Sequence, residues 1–325
     1  MLKATATPSG KAAARRHVLV FPNKKRGGCM ADIGAFLNAH PKLQERFFFL
    51  ARRFVAGESI ERALQAVLAL NRAKLSVSLD FLGEDVTNER EAAQTTRTYV
   101  DLIDRITALG ADANVSVKLS AIGQSISEDL AAQNLGRIVA RARPSSMFVR
   151  LDMEGSPTID STYRIFDRAR ADYPHIGPVI QAYLHRAASD VARCIAQGAR
   201  VRLCKGAYKE PPTVAIQAMP MIRRNFGELA ESLLTQGRYP GIATHDDNLL
   251  EAVKEYAGRH KVSADRFEFQ MLYGVRPERQ RAIAAEGYRM RVYVPFGTHW
   301  GSYFYRRLAE RRENVFFALR SMLSR

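Results

Sequence analysis

Eight short apolar runs recur along this chain, and helically spaced segments separate them. The strand-like runs lie at 75–82, 115–119, 147–151, 179–184, 199–203, 241–244, 267–272 and 290–294. Helical spacing of apolar residues marks 89–109, 128–142, 159–173, 187–196, 222–234, 248–259 and 278–285, and a further helix opens near Ser302. Parallel strands need a long crossover, usually a helix, and eight such units over about 250 residues form the pattern of a (β/α)8 barrel. A doubly wound open sheet is the competing architecture. It would favour a G-x-G-x-x-G turn after a strand, and the chain has none. The expectation is an α/β chain with its (β/α)8 barrel at 75–325 and a helical segment at 30–74.

Within that segment, apolar stripes at 47–50 and 63–70 suggest two helices separated at Gly57. Residues 1–29 read differently. Lys3, Lys11, Arg15, Arg16, Lys24, Lys25 and Arg26 occur there without an acid, so this stretch carries seven of the net +16 charges. With no apolar period it reads as a disordered basic tail, an electrostatic arm or a product of start-site choice, since Met30 resembles an ordinary start. The three cysteines, Cys29, Cys194 and Cys204, form no metal-ligand pattern and suit a reducing compartment. No apolar run approaches the ~20 residues that span a bilayer. The remaining positive charge fits an acidic substrate, anionic lipid or nucleic acid, although no nucleic-acid-binding motif is present.

In a barrel of this kind, the C-terminal strand ends face the active site. Here they are polar: Asp80 and Glu84, Lys118, Asp152 and Glu154, Gln181 and Tyr183, Arg202 and Lys205, Thr244, His245 and Asp246, Gln270 and Tyr273, and Tyr293. The last strand should stop at Pro295 and Gly297. In the helix that follows, Tyr303, Arg306, Arg307 and Glu310 share one face at i, i+3, i+4 and i+7. Singly, each residue has an ordinary role. Asp152 can cap a helix, Lys118 can guard a sheet edge, and an arginine pair can be a solvated turn. Together they form an anion-favouring pocket, because arginine grips carboxylates with a planar fork and buried charge is costly without partners. No H-E-x-x-H, C-x-x-C or G-x-S-x-G is present, which argues against a metal centre and a hydrolase elbow. A Schiff-base aldolase using Lys118 or Lys205 is the alternative enzyme reading, and a nucleic-acid-binding protein the alternative of another class.

Seven segments in order carry a more specific signal: Val117-Lys118-Leu119-Ser120, Leu151-Asp152-Met153-Glu154, Gln181-Ala182-Tyr183, Val201-Arg202-Leu203-Cys204-Lys205-Gly206-Ala207-Tyr208, Ala243-Thr244-His245-Asp246, the stretch 267–275, and Arg291 to Asn314. As a set they resemble the proline dehydrogenase family, the flavin-dependent proline oxidases. The length and the Tyr293-to-Arg306 spacing are similar to the monofunctional bacterial enzymes. The resemblance implies a distorted barrel holding non-covalent FAD, with the final helix over the barrel mouth. It implies that Arg306, Arg307 and Lys118 bind the carboxylate of L-proline, that Tyr293 and Tyr303 pack its ring, and that Glu84 pairs with Arg306 as a gate. Met153, Gln181, Arg202, Gly206, Ala207, Tyr208, Thr244 and His245 would contact FAD, and Asp152 matches an aspartate needed for activity.

The implied reaction is hydride transfer from proline C5 to flavin N5, giving 1-pyrroline-5-carboxylate, with electrons passed to a membrane quinone. The implied location is cytoplasmic, peripheral on the inner face of an anionic membrane, with no metal and no nucleic acid involved. The residue chemistry agrees. Gln181 can donate to and accept from a pyrimidine edge, Arg202 is a permanent cation for the flavin N5 region, and Gly206 and Ala207 let backbone come close. Cys204, where an aliphatic residue is expected, and Phe296, where tyrosine is also common, depart from the family pattern.

Overall fold

The computed structural model describes residues 51–304. Eight strands, β1 (Ser76–Phe81), β2 (Ala113–Val117), β3 (Val149–Leu151), β4 (Ile176–Gln181), β5 (Arg202–Cys204), β6 (Gly241–Ala243), β7 (Glu268–Leu272) and β8 (Arg289–Phe296), pair in parallel in chain order. The ring closes where β8 meets β1, with Ser78 opposite Tyr293 and Asp80 opposite Pro295. This excludes the open sheet, and it leaves no edge for Lys118 to guard.

Alternation along the strands explains both faces of the barrel. One parity is apolar: Val77 and Leu79, Val115 and Val117, Val149 and Leu151, Leu203, Ile242, Phe269 and Met271, Val292 and Val294 all lie in the main core. Helices cover that parity from outside. Helix Glu89–Ala108 presents Tyr99, Leu102, Ile103 and Ile106 along one buried face, and its Asn88 cap accepts the Glu91 N–H at 2.9 Å. Burying a side chain of this size contributes roughly 1.5–3 kcal/mol.

The other parity is polar and equally buried: Ser78, Asp80, Asn114, Ser116, Arg150, Gln181, Arg202, Glu268, Gln270 and Arg291. These residues point into the lumen, as the cross-barrel bonds demonstrate. Arg202 on β5 reaches Ser78 on β1 at 3.3 Å and Ser116 on β2 at 3.2 Å. Barrels of this type usually fill the lumen with bulky branched residues; this one fills it with hydrogen-bonding groups. Gly241 makes room for them, since a Cβ there would lie 2.3 Å from Gln270 Nε2.

Helix Ile60–Arg72 packs on β1 and β8, capped by Ser59, whose Oγ accepts the Arg62 N–H at 3.4 Å. It covers the seam that a helix following β8 would otherwise cover, and Gly57 lies in the turn before it. After β8 the chain turns at Gly297 and is helical over 300–304. Trp300, Tyr303 and Phe304 form a separate apolar cluster with Ala51, Phe54, Val55, Leu82 and Val275 at the mouth end. Residues 300–304 therefore pack on the 51–55 segment and the loops after β1 and β7. The expected tail at 1–29 and most of the C-terminal helix lie outside the described residues.

Strand boundaries shift from expectation along the barrel, as at β4, expected over 179–184 and observed over Ile176–Gln181, and two of the shifts have a visible cause. β2 ends at Val117 because Ser120–Ile122 turn into a 3-10 helix beyond Lys118 and Leu119. β8 runs through Pro295 to Phe296. There the Pro295 carbonyl accepts the Ala56 N–H at 2.9 Å and the Phe296 carbonyl the Leu82 N–H at 2.8 Å, so pairing continues past the proline. Among the described residues, no helix is long and apolar enough to cross a membrane.

Candidate active site

The strand C-termini bring Asp80, Lys118, Asp152, Arg202 and Tyr293 into one hydrogen-bonded cluster. Lys118 Nζ donates to Asp80 Oδ2 at 2.6 Å, lies 3.8 Å from Asp152 Oδ2, and is 3.4 Å from Tyr293 Oη. Asp152 Oδ1 accepts from Ser116 Oγ and from Arg202 Nη1, both at 2.7 Å, and its Oδ2 accepts from Tyr293 Oη at 2.7 Å. The Arg202 guanidinium also sits 5.1 Å from the centre of the Tyr293 ring. Groups from three strands, β2, β5 and β8, thus converge on one carboxylate at the end of β3. Burying such charges costs several kcal/mol each unless geometry is good and the other donors and acceptors are satisfied, and here most are.

The same geometry sets the protonation states. Burial pushes Asp152 up, but Arg202 and Lys118, with the Ser116 and Tyr293 hydroxyls, outweigh it and hold its carboxyl below the usual range. Asp80 is raised, because burial and the Asp152 charge exceed the pull of Lys118. Its second oxygen, Oδ1, is buried without a hydrogen-bond partner. For Lys118 burial acts downward, but the Asp80 and Asp152 carboxylates win, and the ammonium is held protonated well above its ordinary value. Burial, reinforced by Asp152 and Asp80, likewise raises Tyr293. Burial pushes the Cys204 thiol up to about 12, so it is not a reactive thiolate.

Beside this cluster, Gln181 Nε2 donates to the Glu154 carbonyl at 3.0 Å, and its Oε1 accepts the Ala207 N–H at 3.4 Å. Gly206 follows β5 at φ 119°, and a Cβ there would lie 2.2 Å from the Tyr183 ring, so only glycine lets the 205–208 segment rest on that ring. Thr244 is buried and its Oγ1 accepts the Asp246 N–H at 3.2 Å. His245 Nε2 accepts the Leu272 N–H at 3.0 Å, which places the proton of a neutral ring on Nδ1. Lys205 pairs with Asp246 at 3.2 Å, as does Arg223 at 2.7 Å.

Glu154 is a titratable support of this region. Its carboxylate accepts the Ser120 N–H at 3.1 Å and the Ser120 hydroxyl at 2.6 Å, and Ser120 Oγ in turn accepts the Asp85 N–H at 3.1 Å. Burial raises its pKa to about 7 against those bonds. Between its ordinary value and about 7 the folded state therefore binds more protons than the unfolded state, and stability falls as pH rises through that window, by roughly 3 kcal/mol in all. Glu154→Gln should flatten this slope. Thermal melts of both proteins from pH 5 to pH 8 check it, and parallel pH dependences would refute the assignment.

Of the expected site residues, the structure brings Lys118, Asp152, Arg202 and Tyr293 into direct contact, with Gln181, Gly206, Ala207, Thr244 and His245 on the neighbouring strand ends. Met153 is buried in the main core. Tyr208 is half-buried, as is Glu84, whose charge acts on Lys118. Tyr303 packs in the apolar cluster at the mouth. Arg306 and Arg307 lie outside the described residues. Sequence reasoning missed Ser78, Ser116, Glu268 and the inward role of Arg291. The signal was the polar parity shared by the strands, which only a closed ring turns into an interior.

Among the described residues no group of three or more His, Cys, Asp or Glu is placed to hold a metal ion. A preorganised polar cluster at the C-terminal mouth of a closed (β/α)8 barrel is the setting of a barrel enzyme. A family model described as proline dehydrogenase matches residues 63–320, and the chain belongs to that family. It is 42% identical over 275 residues to Proline dehydrogenase 1 of Bacillus subtilis subsp. natto, covering 85% of this chain and 91% of that protein. It is 40% identical over 285 residues to the proline dehydrogenase of Deinococcus radiodurans, covering 86% and 92%. Proline utilization A (PutA) from Bdellovibrio bacteriovorus, solved after inactivation by N-propargylglycine, superposes with a TM-score of 0.76 at 26% identity. That match covers 84% of this chain and spans about a third, 33%, of the other.

Proposed function

We propose that this proline dehydrogenase family member oxidises L-proline to 1-pyrroline-5-carboxylate with non-covalent FAD and a membrane quinone as the final acceptor. The observation that carries the reading is the buried Lys118–Asp80–Asp152–Arg202–Tyr293 cluster at the strand ends of a chain in this family. Bound FAD would supply the redox chemistry by taking the hydride from proline C5. The residues present suit it. Gln181 is a buried amide with both donor and acceptor capacity, and Arg202 is a rigidly held cation. Met153, Gly206, Ala207, Tyr208, Thr244 and His245 would complete the contact with the cofactor.

The chain's own groups would do the rest. Lys118, kept protonated by two carboxylates, is a fixed positive charge for the substrate carboxylate, together with Arg306 and Arg307. Tyr293, with its hydroxyl tied to Asp152, offers a ring face of set orientation, and Tyr303 would pack from the other side. Asp152 aims three donors at once and so acts on substrate and cofactor binding through them. Glu84 and Arg306 would close the site as a gate. We further infer a cytoplasmic enzyme docked peripherally on the anionic inner face of a membrane, for which the net charge of +16 gives an electrostatic rationale.

An anaerobic spectrum tests cofactor and substrate together. The purified protein should show the yellow bands of oxidised FAD, and proline should bleach them. A colourless protein that binds no added FAD would end the reading. The aldolase alternative is weakened, since a Schiff-base lysine must be neutral to attack, whereas Lys118 is paired with Asp80 at 2.6 Å and Lys205 with Asp246 at 3.2 Å. Among the described residues many surface arginines are paired with acids, as in Arg164–Glu128 and Arg276–Asp247, which weakens the case for nucleic acid.

Arg202 gives a second test. Arg202→Met keeps much of the length and removes the charge. The flavin reduction potential should fall and the reductive half-reaction slow, with KM for proline changed less than in the Arg306 and Arg307 variants. A shift of ~30 mV would correspond to ~1.4 kcal/mol for this two-electron couple. Potentiometry on the FAD-loaded variant decides it, and an unchanged or raised potential removes the electronic role.

A further inference from the structure

Behind Arg202 the lumen holds further buried polar groups that the proposed reaction does not use. Arg202 Nε donates to Gln270 Oε1 at 2.6 Å. Gln270 Nε2 donates to Glu268 Oε1 at 2.6 Å, and the same oxygen accepts Arg291 Nε at 2.7 Å. Glu268 Oε2 accepts the Tyr239 hydroxyl at 3.2 Å, and Arg291 Nη1 donates to the Val77 carbonyl at 2.8 Å. Arg202, Gln270, Glu268 and Arg291 are 6%, 4%, 3% and 8% exposed, so water does not compete for these bonds.

A side-chain amide can present either end to a neighbour. An ionised carboxylate can only accept. Burial raises Glu268, but Arg291 outweighs it, and the carboxyl stays below its usual range. It therefore takes the NH2 of Gln270 and leaves the carbonyl as the end that faces Arg202. Turning the amide over would set NH2 against the Arg202 N–H and oxygen against the carboxylate, two repulsions in a buried site. With Nε held by Gln270, Nη1 by Ser116 and Asp152, and Nη2 by Ser78, the guanidinium plane is set from four sides.

We propose that Gln270 and Glu268 are positioning residues for Arg202: Glu268 orients the Gln270 amide, and the amide aims the guanidinium and passes the carboxylate's field to it. This rests on the reading of Arg202 as the cation beside the redox ring. Gln270 lies one hydrogen bond and Glu268 two hydrogen bonds behind Arg202, so both would act through it.

The test moves the carboxylate up one layer. In the double variant Glu268→Gln/Gln270→Glu the total charge is kept, but the negative charge lies directly on Arg202 Nε and Arg291 faces an amide in place of a carboxylate. On the full-length, FAD-loaded protein, the equilibrium constant for flavin reduction should fall about tenfold, ~30 mV for a two-electron couple. KM for proline should stay within about twofold. A purely structural role would change melting temperature and FAD content and leave the potential alone. Gln270→Leu is the second variant, for use if the double variant does not fold. It leaves the Glu268–Arg291 pair intact and removes the acceptor, so kcat should drop about tenfold at nearly constant KM. Wild-type potential in a folded double variant, or wild-type kcat in Gln270→Leu, overturns the proposal. Arg202→Met separates the two levels. If it shifts the potential and the double variant does not, the positioning role alone fails; if it shifts nothing, the parent reading of Arg202 fails with it.

Discussion

Asp152→Ala should lower the unfolding free energy by about 3–5 kcal/mol, the cost of removing one partner from a buried ionic group. The carboxylate accepts from Ser116, Arg202 and Tyr293 and lies 3.8 Å from Lys118. Its removal leaves a guanidinium and an ammonium facing each other across a site from which water is excluded. Asp152→Asn keeps the volume but turns an acceptor-only group into one that must point an NH2 at other donors, so it should lose most of the same stability. Proline oxidation should fall with it, because Arg202, Lys118 and Tyr293 all lose their common anchor. The pH dependence has a definite sign. Asp152 is depressed in the folded state, so its contribution is present above the ordinary carboxylate pKa and is lost as pH falls through the lower folded value. Urea denaturation of the wild type and both variants at neutral pH measures the effect. Wild-type stability in Asp152→Ala would mean that water enters the cluster and screens it.

Arg306→Lys and Arg307→Lys should each reduce kcat/KM for proline about a hundredfold, almost entirely through KM. Lysine keeps the charge but lacks the planar fork, and a lost charge-assisted contact costs on the order of 3 kcal/mol. Lys118 is poorly placed to make up the lost fork, because its ammonium is already engaged with Asp80 at 2.6 Å. FAD content should remain at the wild-type level, which separates substrate binding from cofactor binding. Steady-state kinetics on both variants checks this, and an unaltered KM in both would put the carboxylate elsewhere.

The strands were legible because one parity of each is apolar and packs on helices, as Val77 and Leu79 or Val292 and Val294 show. Lys118, Asp152, Arg202 and Tyr293 were legible because a barrel collects its strand ends at one mouth. Their pairings were not. Which cation meets which carboxylate depends on strand register and on reach across the lumen, and Arg202 meeting Ser78 from the opposite wall is beyond any local pattern. Ser78, Ser116 and Glu268 escaped notice because a small polar or acidic residue alternating with valine reads as a solvent-facing position until the ring closes. Pro295 misled for a different reason. Proline usually ends pairing, but here the carbonyls of Pro295 and Phe296 are used by Ala56 and Leu82.

The seam between β1 and β8 also has a consequence in time. Helix Ile60–Arg72 is made early, yet it packs on β8 as well as on β1. The bond from Trp300 Nε1 to Glu58 Oε1 joins positions 242 apart along the chain. At ~5–20 residues per second, synthesis separates the two by roughly 12–50 s. Throughout that interval Ala63, Leu64 and Val67, all buried in the finished barrel, lack part of their cover. This early helix is thus among the last to be sealed. Contacts of such long range fold slowly, so the nascent enzyme carries an exposed apolar stripe until its final strand arrives.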